Sequence, residues 1–135
     1  MYEVLKMYPN DIRLVFKQFP LDTHSQAELA AQASLAAHAQ GKFWLLHDKM
    51  FANSKAINKT NIFTWAKALG LDMNRFASEI ESGKYRRQVE QDVNEGHAAG
   101  VSGTPTFFIN GKQFRAQIEP DVLKPILDEE LKKAR

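Results

Sequence analysis

Residues 100–114, which read GVSGTPTFFINGKQF, constrain the fold more than any other stretch. Phe107, Phe108 and Ile109 form a continuous apolar run, as expected for a strand buried on both faces. Asn110 and Gly111 then supply the two positive-φ positions of a type I′ turn, so a hairpin into a short edge strand is predicted. Ahead of it, Gly103-Thr104-Pro105 marks a sharp turn at the strand entrance.

The rest of the chain supplies helices and one further strand. Val4, Leu5 and Tyr8 carry helical spacing until Pro9-Asn10-Asp11 stops it, so residues 1–8 read as the last turns of a helix with no cap before its first apolar position. In residues 12–17, Ile12, Leu14 and Phe16 share one face of a predicted strand, which needs strand partners to be stable. Ser25 lies three residues before Glu28, a capping box that predicts a helix start there. That helix, residues 26–39, is dense in alanine, which favours helix and lets a neighbour approach closely. After Gly41, Phe43, Trp44, Leu46, His47, Met50 and Phe51 give a broad apolar stripe on a second helix. Residues 61–69 and 73–81, capped by Thr60 and Asp72 and separated by Gly70, read as a helical hairpin. A polar helix follows Gly83 and runs to about residue 98, with Tyr85, Val89 and Val93 on one face and Arg86, Arg87, Glu90 and Asp92 turned to solvent. Pro120 sits in the first turn of a final helix whose inner stripe is Val122, Leu123, Ile126, Leu127 and Leu131; Pro125 falls near that first turn.

Composition then limits the chemistry. A chain of 135 residues with 44% hydrophobic residues has the size for one domain with a single core. Its 18 basic and 16 acidic residues alternate along the chain, leaving no electrostatic footprint for nucleic acid. With no cysteine in the sequence there is no disulfide, thiolate nucleophile or Cys-ligated metal site. Neither a signal-peptide pattern nor a window of membrane-spanning length is present, so no membrane partner is expected. His24, His38, His47 and His97 lack metal-ligand spacing, and Ser25, Ser34 and Ser102 have no His and Asp arranged as a triad, so neither a metal nor another cofactor is expected.

In its order of elements, a strand, a helical block, the Gly-Val-Ser-Gly-Thr-Pro-Thr-Phe-Phe-Ile-Asn-Gly segment and a terminal helix, the chain resembles the DsbA-like branch of the thioredoxin superfamily. Further matching stretches are Phe19-Pro20-Leu21 with His24, Gln40-Gly41-Lys42-Phe43-Trp44 leading to His47-Asp48 and Phe51, and Leu69-Gly70-Leu71-Asp72. The resemblance covers essentially the whole chain. It implies an α/β thioredoxin-like fold in one domain over residues 1–135, with a helical insertion at about 25–99 and the thioredoxin-fold remainder at 1–24 and 100–135. It also implies that Pro105 is a cis-proline and that Thr104, with Gly103 before it, presents backbone to an extended client peptide.

The chain departs from that family in one respect. The family carries an N-terminal strand and then Cys-X-X-Cys at the start of its first helix. Here the resemblance implies an N-terminally truncated fold whose central strand, between residues 12–17 and 106–110, is missing or supplied by another chain. Three functions are compatible with this. One is the larger part of a thiol-disulfide oxidoreductase whose Cys-X-X-Cys lies upstream of Met1, in a protein expected to be periplasmic or exported. A second is a redox-inactive peptide-binding or adaptor module, with a homodimer formed by strand exchange. The third is a relative of the kappa-class glutathione transferases and chromene-carboxylate isomerases, which the hairpin and the short helical insertion fit less well.

Overall fold

A computed structural model describes residues 1–134, and the chain divides into two compact units: one formed by Met1–Phe16 with the segment from Pro105 onward, the other by Lys17–Thr104. The helical insertion expected at 25–99 lies within the second unit.

The first unit contains α1 (Tyr2–Met7), β1 (Phe107–Ile109), β2 (Lys112–Phe114) and α7 (Pro120–Ala134). Val4, Tyr8 and Leu123 are buried at its centre, with Ile12, Ile109, Phe114, Ile118, Leu127 and Leu131 packed against them. The Tyr8 hydroxyl donates to Asp128 Oδ1 at 2.6 Å, tying the end of α1 to α7. β1 and β2 pair antiparallel with Phe107 opposite Phe114, Phe108 opposite Gln113 and Ile109 opposite Lys112. The turn residues Asn110 and Gly111 have φ of 47° and 82°, as the type I′ turn requires.

Three expectations for this unit need correction. Residues 12–20 form no regular secondary structure, because a strand is defined by its ladder and nothing among the described residues pairs with this segment. The alternation survives only in part: Ile12 and Leu14 are half-buried with Arg13 and Val15 exposed between and after them, but Phe16, expected on the same face as Ile12, is 40% exposed. β1 is likewise not buried on both faces, since Phe108 is 40% exposed; the apolar run forecast a covered strand, but β2 is its only ladder neighbour among the described residues. Val122, assigned to the inner stripe of α7, faces outward, and Leu123 is the buried residue of that turn.

The second unit is helical: α2 (Ala27–Ala39), α3 (Phe43–Ala52), a 3₁₀ turn (Ser54–Ala56), α4 (Lys59–Ala68), α5 (Met73–Glu81) and α6 (Arg86–Ala98). Its core joins Ala33, Ala36 and Ala37 of α2 to Leu46, Met50, Ile62, Ala66, Leu71 and Phe76. The alanines have no exposed surface, so the dense alanine of α2 serves close packing. Gly70 and Gly83 follow α4 and α5 with φ of 81° and 66°, the left-handed conformation that ends helices.

Two caps differ from expectation. The α2 N-cap is Gln26, without a side-chain bond, because a tight turn through His24 N–H to Leu21 O and Ala27 N–H to His24 O leads into the helix. Ser25 therefore does not close a capping box, and Glu28 Oε1 accepts from Gln32 instead. α4 is capped by Asn58, whose Oδ1 accepts from the Asn61 N–H at 2.8 Å; Thr60 lies inside the helix. Asp72 caps α5 as expected, accepting from the Arg75 N–H.

Candidate functional site

Gly103, Thr104 and Pro105 form a bend in which Gly103 is half-buried and Thr104 and Pro105 are exposed. Gly103 and Thr104 end the helical unit, and Pro105 begins the return of the chain into the first unit. Proline lacks an N–H, so the bend can lead into β1 without leaving a donor there unsatisfied.

Within the first unit, an open cavity of about 610 Å³ is lined by Pro105, Thr106 and Phe107 on one side and by Gln113, Phe114 and residues 115–119 on the other. The hairpin makes this arrangement: because Phe107 lies opposite Phe114, the chain leaving β2 returns past the residues that lead into β1. Phe107, Phe114 and Ile118 are half-buried and give the cavity an apolar floor. Arg115 and Glu119 are exposed, one cation and one anion, and the Arg115 guanidinium donates to Gln113 Oε1 at 2.9 Å. Such a surface offers apolar contact with polar groups at its margin. Of the three residues singled out in the sequence, only Pro105 lines this cavity. The contributions of Phe114, Arg115 and Ile118 were missed, although the strength of the turn signal at Asn110-Gly111 already implied that residues after it return alongside Thr106 and Phe107.

A second polar arrangement lies inside the helical unit. Gln18 and Asp92 are 6% and 5% exposed, and the Gln18 N–H donates to Asp92 Oδ2 at 2.9 Å while its side-chain amide donates to Ser34 Oγ at 2.8 Å. Gln88 donates to the other Asp92 oxygen, and the Ser34 hydroxyl to the Ala31 carbonyl. Beside it, the Phe19 ring lies so close to Gly96 that a Cβ there would sit 2.6 Å from a ring carbon. Asp92 was expected in solvent. Its burial could have been read from spacing, since it falls three residues after Val89 and four before Gly96, on the inward stripe of α6. These groups anchor residues 17–19 to α2 and α6, a structural role that satisfies every buried polar atom named.

The histidines are dispersed. His47 is half-buried, stacks on Phe51 at 4.4 Å and lies 3.0 Å from Asp48 Oδ1 through Nδ1; His97 meets Phe19 edge-on at 5.2 Å. No group of three or more His, Asp or Glu residues among the described residues could hold a metal ion, and no described helix is long and apolar enough to cross a membrane.

The sequence matches the family described as thioredoxin over residues 1–129. The chain belongs to the thioredoxin family. A solved structure of a thioredoxin-like oxidoreductase from Silicibacter pomeroyi DSS-3 superposes with a TM-score of 0.80, covering 97% of this chain and 75% of that one at 24% identity. This thioredoxin-family chain therefore has a thioredoxin-like fold, and the DsbA-like resemblance in its sequence agrees with both findings. Among curated proteins, one named Na(+)/H(+) antiporter NhaA 3 from Salinispora tropica is 37% identical over 103 residues, which are 76% of this chain and 16% of that protein. Another, named Na(+)/H(+) antiporter NhaA 1 from Salinispora arenicola, is 34% identical over 122 residues, 90% of this chain and 19% of that protein. The chain thus spans less than a fifth of the length of these relatives.

Proposed function

We propose that these residues form the client-binding part of a thiol-disulfide oxidoreductase, with the reactive Cys-X-X-Cys pair supplied from outside the sequence described. The observation that carries this reading is the exposed Pro105 at the edge of an open, partly apolar cavity, in a chain of the thioredoxin family. In this reading the Thr104–Pro105 bond is cis, Thr104 offers its backbone to an extended client strand, and Phe107, Phe114 and Ile118 receive a client side chain. Backbone pairing tolerates many sequences, as a general disulfide catalyst requires. The redox step needs a thiolate whose pKa a helix N-terminus lowers, and no residue type in this chain can replace it.

One observation favours a second reading. With no cysteine in 135 residues, the same surface can serve a redox-inactive peptide-binding module. Two measurements separate the readings. Fluorescence anisotropy of a labelled, reduced and alkylated insulin B chain titrated with the protein tests the shared client site: binding should occur and weaken markedly in Pro105→Ala, and absent binding or an indifferent variant would refute it. The intact mass and N-terminal sequence of the protein as its source makes it then decide the redox question. A Cys-X-X-Cys in the natural chain supports the oxidoreductase, and its absence leaves the binding module.

A further inference from the structure

Two charges stand on the wall of the cavity without a counter-ion. Of the residues that line it, only Arg115 and Glu119 are ionisable, and they lie at the two ends of the segment 115–119. Both are exposed, and neither enters an ion pair among the described residues. Arg115 uses one N–H on the neutral Gln113 Oε1, which leaves its charge uncompensated. The charges outward along the chain keep the same signs: Lys112 precedes Arg115 and Asp121 follows Glu119, both exposed and likewise without an ion pair among the described residues. One wall thus carries a basic end and an acidic end.

An extended peptide sends alternate side chains to the same face. The residues that accompany a side chain entering the cavity are therefore those two before and two after it, each about 7 Å away along the strand. With the peptide alongside residues 115–119, one of these side chains meets the Arg115 end and the other the Glu119 end. An acid at the first and a base at the second are attracted, whereas the exchanged order sets like charges together. A wall bearing one sign of charge reads only the net charge of its ligand; a wall bearing both signs reads their order.

We propose that Arg115 and Glu119 set the charge order of the client segment, selecting an apolar residue flanked at i−2 and i+2 by opposite charges in one chain direction. The inference rests on the client site proposed above and names the class of peptide which that site prefers. Phe107, Phe114 and Ile118 supply affinity common to all clients, and the two charges supply the difference between one client and another.

Fluorescence anisotropy with three labelled nonapeptides in a serine background tests this. Each has leucine at its centre: one carries glutamate two residues before it and lysine two residues after, one has these exchanged, and one has glutamine at both places. The first two share composition and net charge, so unspecific attraction does not separate them. One charged order should bind about fivefold more tightly than the other, with the glutamine peptide between them, as expected for two exposed charge pairs joined in one case and opposed in the other. The double variant Arg115→Glu, Glu119→Arg should prefer the opposite order, and Arg115→Gln combined with Glu119→Gln should bind both orders alike. Equal binding of the two orders by the unmodified protein, or an unreversed preference in the charge-swapped variant, would overturn the inference and leave the client site standing. Failure of all three peptides to bind would overturn both. If the charge-swapped variant does not fold, the neutral variant decides, because an order preference that survives in it also overturns the inference.

Discussion

Glu79 lies on the inward side of α5 at 7% exposure, where an unpartnered carboxylate would be costly. Burial alone would raise its pKa, but hydrogen bonds from the Tyr85 hydroxyl and from Arg75, together with the Arg75 and Lys84 charges, outweigh that and hold it below the usual carboxylate value. Burial and the adjacent carboxylate push Tyr85 the other way, up to about 12, so the phenol keeps the proton it donates. A depressed carboxyl pKa stabilises the fold above its unfolded value, and that stability is lost as pH falls through the folded value. Urea unfolding between about pH 5 and pH 3 should therefore show a steeper loss in the natural protein than in Glu79→Gln. Parallel pH profiles would show that Glu79 is not held ionised. At neutral pH, Tyr85→Phe should cost about 2 kcal/mol by removing one donor to a buried charge.

For the helices, punctuation in the sequence was enough to locate α2 through α7, because glycine stops and an apolar stripe are local properties. Caps were less legible. Asn58 and Thr60 are both competent cap residues, and the choice depends on which extended residue precedes the first helical turn; Asn58 has φ −155° and ψ 169°. Asn58→Ala should lower stability by about 1 kcal/mol, whereas Thr60→Ala should change it little, as denaturant midpoints would show. An equal cost at both positions would mean that the cap is shared. The hairpin was legible because its turn is local, whereas the β-forming pattern at residues 12–17 states what that segment could pair as, not whether a partner is present. The candidate site divides in the same way. Gly103-Thr104-Pro105 is local and visible in the sequence, while the cavity wall at Phe114 and Ile118 exists because a hairpin folds back, which depends on pairing at a distance.

For the whole molecule, burial is uneven between the units. The helical unit encloses Ala33, Ala36, Ala37, Leu46, Ile62, Ala66 and Phe76 with no exposed surface, whereas the hairpin is a two-stranded sheet with an exposed phenylalanine. Hydrogen exchange should follow this difference. Amides within α2, α3 and α4 should be the slowest to exchange, and those of β1 and β2 faster by at least an order of magnitude. Uniform protection across both would show a single cooperative unit instead.

The helical unit is also one uninterrupted stretch, Lys17–Thr104, while the other unit is assembled from the two chain segments on either side of it. All the side chains of the helical core belong to that stretch. In genetic terms it is a cassette: recombination can replace it through two junctions without dividing its interior, so the helices can diversify while the residues around Pro105 and the hairpin stay as they are.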